Sequence, residues 1–301
     1  MNEATTDDTS KPVEHGRLVV GFDGSDSSIA ALHWAAQEAS LRNAAVTVIA
    51  SFAMSPPIDD GLGLGSAGVA AAAAAEELAE WTRDELATRV HEAFADHVAV
   101  GHDYHAVAAR PGSALRTAGD DADLVVVGRS GAGAIGRLLL GSVTTELLAH
   151  GPCPVAVIPA TTSPATGGVL VGTDGSEHSK RAVRWAVDEA DRRATTLTVA
   201  HCWKAPHRVA ADGSDRGDSL RKVDAEIILD EAIEAARDVS GGDIEPRLVK
   251  GGTVDSLVEL SAAHDLIVLG SRGRGGFASM LLGSVAHAVA AHSSCPTVVV
   301  R

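Results

Sequence analysis

The sequence predicts an α/β protein made of two tandem, doubly wound domains, and three observations carry the prediction. Short continuous apolar runs alternate with amphipathic stretches of helical length, the pattern of a parallel sheet covered on both faces. The order of elements then repeats: Leu18 to Ser25 (LVVGFDGS) matches Val169 to Ser176 (VLVGTDGS) at an offset of 151 residues. A glycine-rich segment repeats as well, GRSGAGAIGRLLLGSV over 128–143 and GSRGRGGFASMLLGSV over 270–285, at an offset of 142. A period near 150 residues is the size of a domain, so the chain reads as a duplication.

The elements follow in order. Residues 1–15 are polar and read as a disordered tail. The first domain spans 16–160. Its first strand is Leu18 to Phe22, the turn is Asp23-Gly-Ser25, and Ser27 or Ser28 is expected to cap a helix from Ile29 to Asn43. A second strand covers Val46 to Phe52. A Pro/Gly-rich loop leads to an Ala/Glu helix from Val69 to Ala95, then a third strand from Val98 to Ala108 and a short helix from Ser113 to Gly119. The fourth strand, Leu124 to Gly128, enters the glycine loop, a helix starts at Ser142, and Val155 to Ile158 is the fifth strand. Residues 161–168 read as a linker and 169–301 as the second domain, with strands at 169–173, 197–202, 244–250, 266–270 and 297–300. Its helices are expected at 179–193, 220–240 and 254–263 and from Ser284. Trp34 and Trp185 occupy the same place on the first helix of each half and read as core.

Composition narrows the function classes. The formal net charge of −15 argues against nucleic acid as a partner. Mean hydropathy is +0.10 and no apolar run approaches the length of a membrane span. Three cysteines, Cys153, Cys202 and Cys295, lack C-x-x-C spacing and read as reduced thiols of a cytoplasmic protein. His102-x-x-His105 falls on opposite faces of a strand, so the pair is no metal site.

The two glycine loops carry the chemistry. Each follows a buried strand and spells G-x2-G-x9-G-S, on Gly128, Gly131, Gly141 and Ser142 and on Gly270, Gly273, Gly283 and Ser284. Glycine lets backbone N–H groups approach a phosphate, and the helix beginning at Ser142 or Ser284 adds its positive end. The bland alternative is a tight β–α turn. Arg129 and Arg137 flank one loop, while Arg272 and Arg274 lie in the other, basic groups on an acidic chain. Asp23 and Asp174 end the first strand of each half, where a carboxylate reaches a ribose hydroxyl or forms an Asx turn. No Walker A lysine motif and no nucleophile elbow occur.

Together these residues resemble the universal stress protein family in its tandem form, over nearly all of 16–301. The intact loop motif matches the branch of that family that binds ATP. The resemblance implies five parallel strands per half in the order 3-2-1-4-5. The short apolar strands Val155 to Ile158 and Thr297 to Val300 are edges that want a partner, so the two halves are expected to pack through them, and the same pairing between chains in the family implies a homodimer. The resemblance also implies that Gly21, Asp23 and the end of the second strand near Ala50 and Ser51 face adenine and ribose. The phosphates would lie on Gly128, Arg129, Ser130, Gly131, Ala132, Gly133, Ala134, Gly141, Ser142 and Val143. In the second half the matching positions are Gly172, Asp174, Ala200, Gly270, Ser271, Arg272, Gly273, Arg274, Gly275, Gly276, Gly283, Ser284 and Val285. The implied cofactor is ATP, with Mg²⁺ compatible with it, and the implied role is nucleotide-dependent regulation through unnamed protein partners, with no membrane association. The rival from another class is a slow ATP hydrolase or nucleotide-dependent transferase. The halves differ before the third helix, with Ala109-Arg-Pro111 against Gly251-Gly-Thr253, which predicts unequal sites.

Overall fold

The computed structural model describes residues 16–52, 83–131, 140–161, 167–204, 216–275 and 281–301. The N-terminal segment 1–15, the expected linker's residues 162–166 and most of the expected Ala/Glu helix lie outside these residues.

The first half runs β1 (Arg17–Phe22), α1 (Asp26–Arg42), β2 (Ala45–Phe52), α2 (helical over 83–94), β3 (His102–Ala108), α3 (Pro111–Gly119), β4 (Leu124–Gly128), α4 (Ser142–His150) and β5 (Val155–Ile158). The second half repeats it as β6 (Val169–Gly172), α5 (Glu177–Arg193), β7 (Leu197–Trp203), α6 (Arg216–Arg237), β8 (Ile244–Lys250), α7 (Thr253–Ser261), β9 (Leu266–Gly270), α8 (Ser284–His292) and β10 (Thr297–Val300).

The described strands form one ten-stranded sheet in the order β3-β2-β1-β4-β5-β10-β9-β6-β7-β8. Each half therefore has the expected order 3-2-1-4-5, and every pairing within a half is parallel. β5 and β10 meet antiparallel, Thr297 opposite Val157 and Val299 opposite Val155. The two fifth strands thus satisfy each other within one chain.

The central strands bury both faces, which explains their unbroken apolar runs: Leu18, Val19 and Val20 are fully buried, as are Leu124, Val125 and Val126. On one face α1, α2, α5 and α6 cover a single apolar cluster that continues across both halves. On the other face, α3 with α4 and α7 with α8 cover two separate clusters. Small residues set the spacing on the first face. Ala31, Ala35, Ala36 and Ala39 of α1 are buried against the sheet, with Leu32 filling the gap between them. Trp34 and Trp185 pack half-buried at the margin of this cluster, not at its centre.

The helix starts correct the sequence reading by a few residues. Ser25, not Ser27 or Ser28, caps α1: it is extended (φ −72°, ψ 155°) and its hydroxyl accepts from Ser28 N at 3.2 Å. Ser176 caps α5 in the same way, accepting from Ser179 N at 3.2 Å. Before each cap stands a glycine in left-handed backbone, Gly24 (φ 78°) and Gly175 (φ 75°), which turns the chain from strand into helix. The third strand begins at His102 and not at Val98, since His97 to Val100 form a turn.

Candidate functional site: paired clefts at the strand ends

Each half opens a cleft where β1 or β6 and β4 or β9 end, the crevice at which a doubly wound sheet reverses its strand order. The first cleft measures about 590 Å³ and the second about 330 Å³. Both volumes fall in the range of small-molecule sites.

Asp23 forms the first wall. Its Oδ1 accepts from Ser25 N at 3.1 Å and from Ser25 Oγ at 2.6 Å, so the Asx turn is real. Asp174 repeats it, accepting from Ser176 N at 3.0 Å, and its Oδ2 also accepts from Arg274 N at 2.8 Å. Burial pushes the Asp174 carboxyl up. The hydrogen bonds from Ser176, Arg274 and Ser179 outweigh burial and hold it below its ordinary value. Both carboxylates line their clefts, so turn and cleft roles fall on the same side chain.

The glycine loops are tethered at both ends. Arg129 N donates to Ile158 O at 2.8 Å and Gly141 N donates back to Arg129 O at 2.8 Å. In the second half, Ser271 N donates to Val300 O at 2.7 Å and Gly283 N to Ser271 O at 2.7 Å. Serine hydroxyls of the α1 start tie the loop to that helix: Ser27 Oγ donates to Ser130 O, and Ser25 Oγ, whose proton is directed at Asp23, lies 3.3 Å from the same oxygen. Ser176 Oγ likewise lies 3.3 Å from Arg272 O.

The glycines divide into two kinds. A Cβ on Gly128 would lie 2.5 Å from Ser27 Oγ and 2.9 Å from Ser28 N; one on Gly270 would lie 2.6 Å from His178 C. These two glycines let the helix start sit on the strand end, which is the bland role. A Cβ on Gly131 would lie 2.6 Å from Asp23 Oδ2, and one on Gly273 would crowd Asp174 Oδ2 likewise. Those two glycines keep loop backbone beside the cleft carboxylate.

Helices α4 and α8 open onto the clefts without side-chain caps. The first turn of α4 closes with Thr145 N to Gly141 O at 2.9 Å, which leaves the N–H groups of Ser142, Val143 and Thr144 beyond the intrahelical ladder. In α8 the first such bond is His287 N to Gly283 O at 3.1 Å. Each helix therefore presents its positive end to the cleft.

Most of the residues picked from the sequence come together there. Gly21, Asp23, Ser51, Gly128, Ser130, Gly131, Gly141, Ser142 and Val143 line the first cleft. Gly172, Asp174, Ala200, Gly270, Arg272, Gly273, Gly275, Gly283, Ser284 and Val285 line the second. Four others do different work. Ala50 is buried in the cluster beneath α1, because strand residues alternate and its neighbours Ile49 and Ser51 face the cleft. Arg129 reaches into the other half, where Nη1 donates to Ser293 O at 2.8 Å at the end of α8. Ser271 is buried and spent on the loop tether. The guanidinium of Arg274 lies over Gly175, outside the cleft lining. Ala132, Gly133, Ala134 and Gly276 lie outside the described residues.

The sequence reading missed the apolar slot. Ile49, Leu115 and Val127 form it in the first cleft, and Leu257 and Leu269 in the second. Strand alternation counted from Gly21, which pairs with Ile49, would have found the β2 contribution. Burial pushes Cys153, Cys202 and Cys295 up to about 11 each, so all three thiols stay protonated near neutral pH. Cys202 lines the second cleft. His102 stacks on Phe94 and His105 lies near Asp103; among the described residues no group of three His, Cys, Asp or Glu is placed to hold a metal.

The profile of the universal stress protein family matches residues 14–159 and again residues 167–301. The chain belongs to the universal stress protein family. Its two matched stretches are the two universal stress protein domains of a tandem chain. The chain is similar to Universal stress protein Rv2005c of Mycobacterium tuberculosis (strain ATCC 25618 / H37Rv), 35% identical over 97% of this chain and 99% of that one. Universal stress protein Rv2623 of the same strain is 33% identical over 94% of this chain and 96% of that one. Among solved structures, a universal stress protein from Archaeoglobus fulgidus DSM 4304 aligns with a TM-score of 0.62 and 20% identity, covering 96% of this chain and 97% of that one. That match supports the fold. No helix among the described residues is long and apolar enough to cross a membrane.

Proposed function

We propose that this universal stress protein binds adenine nucleotides, ATP foremost, in both clefts and acts in the cytoplasm as a nucleotide-dependent regulator of stress or growth state. One observation carries the reading: each cleft joins an uncapped helix N-terminus to an apolar slot, with a carboxylate between them. A ligand that fits has an anionic tail, a polar middle and a flat apolar body. Phosphates on the α4 and α8 amides, ribose at Asp23 or Asp174, and a base against Leu115 or Leu257 satisfy that order. Family membership supports the regulatory role.

Mg²⁺ would come with the triphosphate. Among the described residues that line them, each cleft has one carboxylate, already accepting turn hydrogen bonds, which is too few to hold a resident ion. Turnover of the nucleotide is slow on this reading, since hydrogen bonding weakens Asp174 as a base. Homodimerisation would have to use a surface other than the fifth strands, which are paired inside the chain.

The test is to purify the protein gently, denature it and weigh what is released, then titrate ATP calorimetrically. About two adenine nucleotides per chain are expected. No released nucleotide, together with no heat and no thermal shift on adding ATP, would overturn the reading.

A further inference from the structure

We propose that Ser51 is a specificity group of the first cleft: its hydroxyl bonds the polar edge of the bound base, and the second cleft lacks that contact. One chain then carries two sites of different base selectivity. The inference rests on the nucleotide reading and deepens it for one cleft.

Ser51 lies near the end of β2 and lines the first cleft. Its Oγ is shielded from bulk water and has no hydrogen-bond partner among the described residues. A shielded hydroxyl without a partner destabilises the protein that carries it and asks for a reason. The repeat supplies a comparison. The position equivalent to Ser51 on β7 is Cys202, and the Ser256 hydroxyl of α7 bears on its thiol, drawing it down against burial. The position equivalent to Ser256 on α3 is Ala114, which offers no polar side-chain atom. So the second half sets a serine hydroxyl beside its cleft-floor group, while the first half keeps a stronger donor and acceptor and sets an alanine there.

Location says which end of the ligand it meets. In the sheet, β2 lies on the far side of β1 from β4 and its glycine loop. Ser51 therefore sits away from the phosphate-binding end, beside the slot made by Ile49 and Leu115 where a base would rest. Rotation of serine χ1 among its three wells carries Oγ toward a ring nitrogen or exocyclic group of that base.

The experiment uses the full chain with Ser51→Ala and, separately, Ala114→Ser, titrated with ATP and with tripolyphosphate, and melted without ligand. Ser51→Ala is expected to weaken one of the two ATP affinities about fivefold and leave the other alone. It should leave tripolyphosphate binding unchanged and the melting temperature of the empty protein equal or higher. Ala114→Ser gives Ser51 an internal partner and should weaken the same affinity. The proposal is overturned if both variants keep wild-type ATP affinities, if tripolyphosphate weakens as much as ATP, or if Ser51→Ala only lowers the melting temperature. A wild-type protein that binds no ATP is a separate outcome, which defeats the nucleotide reading itself.

Discussion

Arg42 of the first half reaches across to Glu189 of the second, Nη2 to Oε2 at 2.5 Å, and Arg193 returns the contact to Glu38. Each arginine also bonds the glutamate one turn earlier on its own helix, so two glutamates and two arginines close a ring between α1 and α5. Glu38 is 1% exposed and Glu189 0%. The ring arises from duplication, since the four residues are two copies of one i,i+4 pair. It joins the halves on the face opposite α4 and α8.

The ring makes stability depend on pH. Burial, then the neighbouring Glu189 charge, raises Glu38 to about 7, while the two arginines pull the other way; the pair therefore holds a proton into the neutral range. A carboxyl raised from 4.5 in the unfolded chain binds its proton more tightly in the native state. Stability from this group is complete below the unfolded value and is lost as pH rises toward 7, at no more than ~1.4 kcal/mol per pH unit. Urea unfolding from pH 5 to 8 should show the decline, and Glu38→Gln should flatten it. An unchanged slope in the variant would count against this assignment.

Substituting the loop glycines should separate folding from binding. Gly128→Ala and Gly270→Ala push a methyl into the start of α1 or α5 and should cost about 1–3 kcal/mol of stability. Among the described residues Gly131→Ala meets the Asp23 carboxylate alone, so it should weaken ATP at the first cleft with a much smaller change in melting temperature. Equal melting-temperature losses for Gly128→Ala and Gly131→Ala would refute the division.

Arg129 gives a sharper contrast. Burial lowers its guanidinium, which donates across the halves to Ser293 O. Arg129→Ala should lower the unfolding midpoint by an amount worth about 1–3 kcal/mol and leave ATP affinity within a factor of two. A large loss of affinity at full stability would return Arg129 to the phosphate site.

Helices α1 and α5 both end on a left-handed residue, Asn43 (φ 49°) and Ala194 (φ 48°). Asparagine tolerates that conformation; alanine does so at a cost, through its Cβ. Ala194→Gly should stabilise the protein by about 1 kcal/mol, or roughly 2 °C in melting temperature. A lower melting temperature would show that the Ala194 methyl contributes packing.

Much was legible because the chemistry is periodic in the chain. Apolar runs bounded by turns gave the strands, since strands buried on both faces need no alternation, and the exact repeat of LVVGFDGS and of the glycine spacing gave two halves. Asp23, Gly131, Ser142 and their partners in the second half were readable because backbone-amide sites are local in sequence, a loop and the helix after it. Facing was not readable. Ala50 and Ile49 are neighbours in the chain but lie on opposite sides of the sheet, and a slip of one residue reverses which of them meets a ligand. The short apolar fifth strands did announce their pairing, but composition could not say that Arg129 belongs to Ser293 or that Glu38 shares a ring with Arg193. Those contacts join residues more than a hundred positions apart, and only the joining of the two halves into one sheet brings them within hydrogen-bond reach.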